Sequence, residues 1–268
     1  MKIGVLGKIS KIKTGEVVDS LCLRLRENGY ETTVFTKPSE IENVDVVLVL
    51  GGDGAILHSA IYAAKKNIKI IGINYGNLGF LTEYEKTETD NVIDLLHQIS
   101  ENTCKVIKRS ILELTIGENK YYALNEIALQ RDYGLYSSSS TQILKLEVQS
   151  KEGVDTISGD GVLICTPTGS TAYSLSAGGA ILTPEVPVFM LTPICAFSMR
   201  NRPVVFEDSQ EFIIKSVKGK AVVLLDGRAL TELHENVEIK IRKAPFTADF
   251  PVKKVSTFLE KIRNKLID

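Results

Sequence analysis

A chain of 268 residues, 44% of them apolar, is long enough for one large or two modest domains with substantial cores. Its 32 lysines and arginines balance 33 acidic residues, and neither sign forms a long run, which argues against a nucleic-acid footprint or a polybasic membrane patch. No apolar stretch reaches the roughly 18–20 residues of a membrane span, and residues 1–7 are too short in apolar character for a signal peptide, so a cytoplasmic protein is expected.

Residues 2–7 predict a buried strand. Val17, Val18, Leu21, Cys22 and Leu25 then recur at helical spacing until Gly29. Residues 30–36 read as a second strand, followed by a break at Lys37, Pro38 and Ser39 and a third strand at 44–50. This strand runs into Gly51-Gly52-Asp53-Gly54 and then a helix with Ile56, Leu57, Ala60, Ile61 and Ala64 on one face. Glycines between a strand and a helix let a ligand approach the backbone, and the helix start supplies free N–H groups and a positive dipole end, a combination suited to phosphate. Asp53 is out of place in such a cradle unless it accepts a proton, helps to hold a cation or merely caps the helix.

A strand at 69–73 leads into a second glycine-punctuated loop at 74–82, and Val92, Ile93, Leu96 and Ile99 mark another helix. Continuous apolar strands alternating with amphipathic helices predict a parallel sheet covered on both faces, with ligands beyond the carboxyl ends of its strands. Neither a P-loop signature nor a G-x-G-x-x-G turn is present.

From residue 102 the helical period gives way to short strands at 109–116, 121–129, 143–148, 154–158, 162–166, 189–193, 212–216, 221–225 and 237–242. Residues 131–141, with serines at 137–140, predict a mobile loop, and 255–267 a helix that returns to the first domain. The expected domains are therefore 1–101 (α/β, parallel sheet), 102–252 (β-rich, sandwich-like) and 253–268 (returning helix). Cys22, Cys104, Cys165 and Cys195 are scattered and predict buried free thiols, while His58, His97 and His234 are too far apart for a zinc site.

Three stretches of the β-rich part stand out. Asn125-Glu126 places an amide and a carboxylate side by side in an apolar strand pattern. Ser158-Gly159-Asp160-Gly161 reads as a hairpin-type turn. The Ser/Thr-rich run from Thr166 to Gly179 follows an apolar strand directly and offers many hydroxyl and N–H groups, for a ligand or for its own backbone.

Taken in order, Gly51-Gly52-Asp53-Gly54, the 74–81 loop, Asn125-Glu126, Gly159-Asp160-Gly161 and Thr166-Pro167-Thr168-Gly169-Ser170-Thr171-Ala172-Tyr173 resemble the NAD kinase family over nearly the whole chain. The resemblance implies transfer of the ATP γ-phosphate to the 2′-hydroxyl of the adenosine ribose of NAD, with Mg2+ or another divalent cation. It implies Asp53 as proton acceptor with Gly54 beside it against NAD, and Gly51, Gly52 and Gly54 at the ATP phosphates. Asn125 and Glu126 are implied to hold the adenosine. Asp160 and the run Thr171, Ala172, Tyr173, Ser174, Leu175 and Ser176 are implied to line the rest of the NAD site, with weaker matches at Gln142, Ser158 and Arg228. The family's oligomers imply a homodimer or homotetramer; the cleft between the two domains is the expected site, and no residue is expected as a metal ligand.

Two positions depart from the family pattern. Ala55 replaces the usual Thr and removes a hydroxyl beside the cradle, and Ser158 stands where some relatives carry a basic residue. A lipid kinase shares the Gly-Gly-Asp-Gly element but needs an apolar acceptor site, against which the polar 166–176 run argues. A non-catalytic dinucleotide sensor has no need of Asp53.

Overall fold

A computed structural model describes residues 1–7, 14–75, 79–132, 143–252 and 258–265. Gln142 and the serines at 137–140 lie outside the described residues. The chain divides into two units, 1–108 with 248–268, and 109–247.

The first unit begins with β1 (Lys2–Gly7), α1 (Thr14–Glu27), β2 (Glu31–Phe35), β3 (Val46–Leu50), α2 (Asp53–Ala64), β4 (Lys69–Asn74), β5 (Tyr84–Glu85), α3 (Thr89–Ser100) and β6 (Lys105–Arg109). Its five-stranded sheet has the order β2-β1-β3-β4-β5, and every pairing is parallel. All five residues of β3 are buried, as expected for a strand covered on both faces. Val46, Leu48, Leu50, Ile71 and Ile73 share a core with Leu21 and Leu25 of α1 and Val92 and Leu96 of α3. Gly72 points to the opposite face, against α2, where a Cβ would come within 2.3 Å of Ile56 Cδ1. This glycine lets helix and strand close up.

The second unit carries β7 (Leu112–Ile116), β8 (Asn119–Ala123), β9 (Glu126–Arg131), β10 (Leu144–Ser150), β11 (Gly153–Gly159), β12 (Gly161–Cys165), a short helix α4 (Tyr173–Ser176), β13 (Val188–Ile194), β14 (Val204–Glu207), β15 (Phe212–Lys218), β16 (Ala221–Leu225), β17 (Arg228–Leu233) and β18 (Glu238–Lys243). They form two six-stranded sheets, β11-β10-β15-β18-β7-β8 and β14-β13-β12-β9-β16-β17, antiparallel throughout. One core joins them, with Leu146, Phe212, Ile214 and Ile241 from the first sheet meeting Ile127, Leu129, Val162, Ile164 and Phe189 from the second. This is the expected sandwich. β12 is buried on its outer face as well, because Leu163 and Cys165 pack with Met190, Tyr173, Ala177 and Leu182.

β19 (Ala248–Val252) and α5 (Phe258–Lys265) return to the first unit. β19 pairs with β6 and packs on β4 and α2, so the chain leaves the sandwich at 247 rather than at the expected 252. Lys261 of α5 forms an ion pair with Glu83.

Several sequence expectations need correction. Residues 121–129 are not one strand: β8 and β9 belong to different sheets, and the chain crosses between them at Leu124 and Asn125. The segment 158–161 is likewise a crossing, from β11 in one sheet to β12 in the other, and not a hairpin. Apolar residues flank the first crossing on both sides, with Ala123 and Ile127 in the shared core, so Asn125 and Glu126 read as a polar pair within one strand rather than as a break between two. β14 and β17 were not anticipated: both are sheet edges with mostly exposed residues, which leaves no buried alternation to read. The four cysteines are free, but only Cys22 and Cys165 are buried, and Cys195 is exposed at the end of β13.

Phe189 is fully buried in the sandwich core, whereas Val154 on the edge strand β11 is 60% exposed. Phe189→Ala is expected to lower unfolding free energy by about 3–5 kcal/mol in urea titration. Val154→Ala is expected to change it by less than about 0.5 kcal/mol.

Candidate functional site

β3 delivers the chain to Gly51, whose N–H donates to Ile73 O at 2.9 Å. Gly52, in an extended conformation, is the residue that caps α2, and Asp53 is the first residue within the helix. Asp53 is therefore not the helix cap. Its carboxylate turns to the second glycine loop, where Oδ2 accepts the Phe80 N–H at 2.5 Å and Oδ1 the Leu81 N–H at 2.9 Å. A Cβ on Gly79 would lie 1.8 Å from Asp53 Oδ1, so only glycine lets the loop close on the carboxylate. The Thr82 hydroxyl accepts the Gly79 N–H at 3.0 Å and finishes the loop. Asp53 thus ties the first glycine loop to residues 79–82 of the second.

The cradle itself stays open. A Cβ added to Gly52 or Gly54 meets nothing within 4 Å. At Gly51 it would come within 2.8 Å of the Ala55 Cβ, so position 55 packs on the cradle backbone. Beside Gly54 and Ala55 lies a cavity of about 370 Å³, lined also by Leu6, Gly7, Thr36, Pro38 and His58. These residues sit where β1 and β2 end or on the first turns of α2, the edge at which parallel sheets bind ligands. Sequence reading did not single them out. The available signal was position, at the carboxyl ends of two strands, and not residue type.

In the second unit, the crossing at Leu124 and Asn125 ends at Glu126, the first residue of β9. Glu126 pairs with Cys165, and Leu225 of β16 pairs with both Ile127 and Arg228, so Asn125, Glu126, Thr166, Asp226 and Arg228 gather at one end of the second sheet. Glu126 is 97% withdrawn from solvent, being 3% exposed, and its Oε2 has no hydrogen-bond partner. Burial, followed by the nearby charge of Asp226, pushes its carboxyl up to about 7. Asn125 is half-buried.

The Ser/Thr run turns largely inward. The Thr166 hydroxyl donates to Leu124 O at 2.6 Å, Ser170 to Pro167 O at 2.7 Å, and Thr171 to Thr168 O at 3.3 Å. Ser174 is fully buried and shares a 2.8 Å hydrogen bond with Thr192, while Thr168 accepts from Arg109 at 3.2 Å. These side chains stabilise their own turns and the sheet end. Thr171, Ala172, Tyr173 and Leu175 are half-buried and Ser176 is exposed, which leaves backbone and partial faces for a ligand.

Ser158 and Asp160 lie at the other end of β12. Gln130 pairs with Gly161 while Glu126 pairs with Cys165, a separation of about 13 Å along the strand at roughly 3.3 Å per residue. One adenosine group therefore does not bring Asp160 and Glu126 together within this unit. Asp160 forms an ion pair with Arg131 at 3.2 Å. Among the described residues no group of three or more His, Cys, Asp or Glu is placed to hold a metal, and no helix is long and apolar enough to cross a membrane.

The environment of Glu126 has a consequence for stability. Its folded-state pKa of about 7 lies above the unfolded value of 4.5, so the folded protein binds the extra proton and stability falls as pH rises between these values. At 1.36 kcal/mol per pKa unit the cost above neutral pH is on the order of 3 kcal/mol. Glu126→Gln is expected to flatten this slope, gaining on wild type between about pH 5 and about pH 8 in urea unfolding. An unchanged slope contradicts the assignment.

Comparison with known proteins meets this geometry from outside. The model of the ATP-NAD kinase N-terminal domain matches residues 6–103, and that of the ATP-NAD kinase C-terminal domain matches 124–252. An NAD kinase of Methanothermobacter thermautotrophicus is 34% identical over 284 aligned positions, covering 100% of this chain and 97% of the relative. One from Carboxydothermus hydrogenoformans is 37% identical over 233, covering 84% and 80%. Among solved structures, an NAD kinase from Archaeoglobus fulgidus in complex with ATP superposes with a TM-score of 0.78 at 28% identity, covering 99% of this chain and 97% of that one. Yeast NADH kinase complexed with NADH shares the fold, with a TM-score of 0.84 at 24% identity, over 99% of this chain and 87% of that one. With both domain models matched in order and a relative at 34% identity aligned over 97% of its length, the chain belongs to the NAD kinase family.

Proposed function

We propose that this chain transfers the γ-phosphate of ATP to the 2′-hydroxyl of the adenosine ribose of NAD, giving NADP, and that Asp53 accepts the hydroxyl proton. The observation that carries the reading is the Asp53 carboxylate, fixed by two backbone N–H groups at the mouth of an open glycine cradle. A ribose hydroxyl is a weak nucleophile, so the enzyme must hold it in line with the phosphorus, offer a proton acceptor and offset charge on the transferring group. An acceptor oriented before substrate arrives needs no rearrangement at the moment of reaction. Each Asp53 oxygen retains a lone pair beyond its N–H partner, enough to receive the hydroxyl.

Gly51, Gly52 and Gly54, with the start of α2, receive the ATP phosphates, and the cavity beside Gly54 and His58 receives the rest of the donor, at a volume within the usual range for small-molecule pockets. Asn125 reads the base edge and Glu126, ionised, accepts from ribose hydroxyls, while the backbone and faces of Thr171, Ala172, Tyr173, Leu175 and Ser176 and the Arg228 guanidinium complete the contacts. Ser174 supports this surface from within. Ser158 and Asp160 serve the part of the dinucleotide remote from the adenosine.

The donor set fits magnesium brought in on ATP. Mg2+ usually keeps several waters and binds through substrate phosphates, so it would be held by the ATP phosphates received at Gly51, Gly52 and Gly54, leaving Asp53 to accept the proton. When bound, the ion would neutralise charge on the phosphates. The family resemblance extends the proposal to a cytoplasmic homodimer or homotetramer.

The test is NADP formation by purified protein with NAD, ATP and Mg2+, read by an NADP-specific dehydrogenase, with Asp53→Asn alongside. Wild type is expected to turn over, and the variant to lose a factor on the order of 10²–10⁴ in kcat. The Asn amide also sets an NH2 group against one loop N–H, so folding is checked by Tm. No NADP from folded wild type overturns the reading, and near-normal turnover by the variant removes Asp53 as the acceptor.

A further inference from the structure

The Asp226 carboxylate fills a nest of three consecutive backbone N–H groups. Oδ2 accepts from Leu124 at 3.1 Å, and Oδ1 accepts from Asn125 at 2.7 Å and Glu126 at 3.2 Å. Three successive N–H groups cannot converge in a regular strand, where they alternate in direction. They converge here because the chain is crossing from β8 to β9, and the crossing leaves them without a ladder partner. Asp226 also donates its own N–H to Glu126 O at 3.0 Å.

Asp226 and Gly227 have φ of 47° and 76°, so both lie in the left-handed region that a two-residue turn between β16 and β17 requires. From the other side Thr166 holds the same segment, its hydroxyl donating to Leu124 O at 2.6 Å and its N–H to Asn125 O at 2.9 Å. Gly169 lies so close that a Cβ would be 2.2 Å from Asn125 O. The peptide is gripped on both edges, and its two polar side chains remain to meet a ligand.

We infer that Asp226 is a positioning residue for the dinucleotide, fixing the Leu124–Glu126 backbone so that the Asn125 amide and the Glu126 carboxylate are preset for the adenosine. This rests on the reading of Asn125 and Glu126 as adenosine contacts. A second consequence follows from charge. The titratable and charged groups around Glu126 are Asp226 from the β16–β17 turn, which has Arg228 beside it, and Cys165 on β12. Burial pushes the Cys165 thiol up to about 12, so it stays neutral, and Asp226 is the neighbour that makes ionisation of Glu126 harder. Ionised Glu126 binds the ribose, so NAD affinity falls on the acid side, and removing the Asp226 charge moves that limb to lower pH.

Asp226→Asn tests both. Asn tolerates the left-handed conformation, keeps an acceptor for two N–H groups and turns an NH2 toward the third. The expected result is a rise of about tenfold in the calorimetric Kd and KM for NAD, with KM for ATP and kcat within about twofold and the acid limb shifted down. A second variant, Gly227→Ala, strains the turn but keeps the charge, and is expected to weaken NAD binding with the acid limb in place. NAD affinity and acid limb unchanged in Asp226→Asn, with only Tm lowered, overturn the inference, as does unchanged affinity in Gly227→Ala if the first variant does not fold. Wild type that binds NAD without making NADP overturns the kinase reading, while the Kd of the variants still decides the role of Asp226. Wild type that does not bind NAD overturns both.

Discussion

A buried backbone N–H without an acceptor costs about 1–3 kcal/mol, and both regions assigned to substrate here break the regular ladders that would otherwise satisfy such groups. The same solution appears twice. Asp53 accepts from Phe80 and Leu81 in the first unit, and Asp226 accepts from Leu124, Asn125 and Glu126 in the second. In each case a side-chain carboxylate stands in for the missing strand. In each case the residue next to the clasp is a group that the proposed chemistry uses: the glycine cradle at Asp53, and the Asn125-Glu126 pair at Asp226.

This constraint explains the close contacts around it. Gly79 is a glycine because the Asp53 carboxylate occupies the place of its Cβ, and Gly169 because the Asn125 carbonyl does. These glycines are needed for backbone approach, whereas Gly52 and Gly54 face open space and fit the phosphate-facing role. A clasp of this kind is also electrostatically expensive where it is buried. Burial raises the Asp226 pKa even against its three N–H donors, and the Asp226 charge in turn raises that of Glu126. A buried carboxyl with an unpartnered oxygen is a stability cost of the kind that marks functional sites.

The parallel sheet was legible because β3 and β4 are buried on both faces and so read as unbroken apolar runs between helical faces. The sandwich was legible from short strands, but its two sheet crossings were not, since the apolar residues flanking 124–125 serve one core from both sheets. Gly-Gly-Asp-Gly could be read as a phosphate cradle, yet nothing in its sequence says that Asp53 reaches 27 residues ahead to Phe80. The Ser/Thr run was open to either use, a ligand or its own backbone, and hydroxyls next to helical turns find backbone carbonyls first, as at Ser170 and Thr171. The polarity of this run therefore does not by itself separate the chain from lipid kinases, and the match to both domain models decides the family. The Asp226-Gly227 pair between two apolar runs is a strong hairpin signal. The sequence carried the turn but not the nest that the turn fills.

Amide hydrogen exchange on the wild-type protein tests the two clasps most directly. The amides of Phe80, Leu81, Leu124, Asn125 and Glu126, though outside or at the margin of the ladders, are expected to exchange slowly, in the class of the buried strand amide of Leu163. Exchange as fast as at the exposed hairpin tip of Gly117 and Glu118 would mean that neither carboxylate holds its backbone segment in solution.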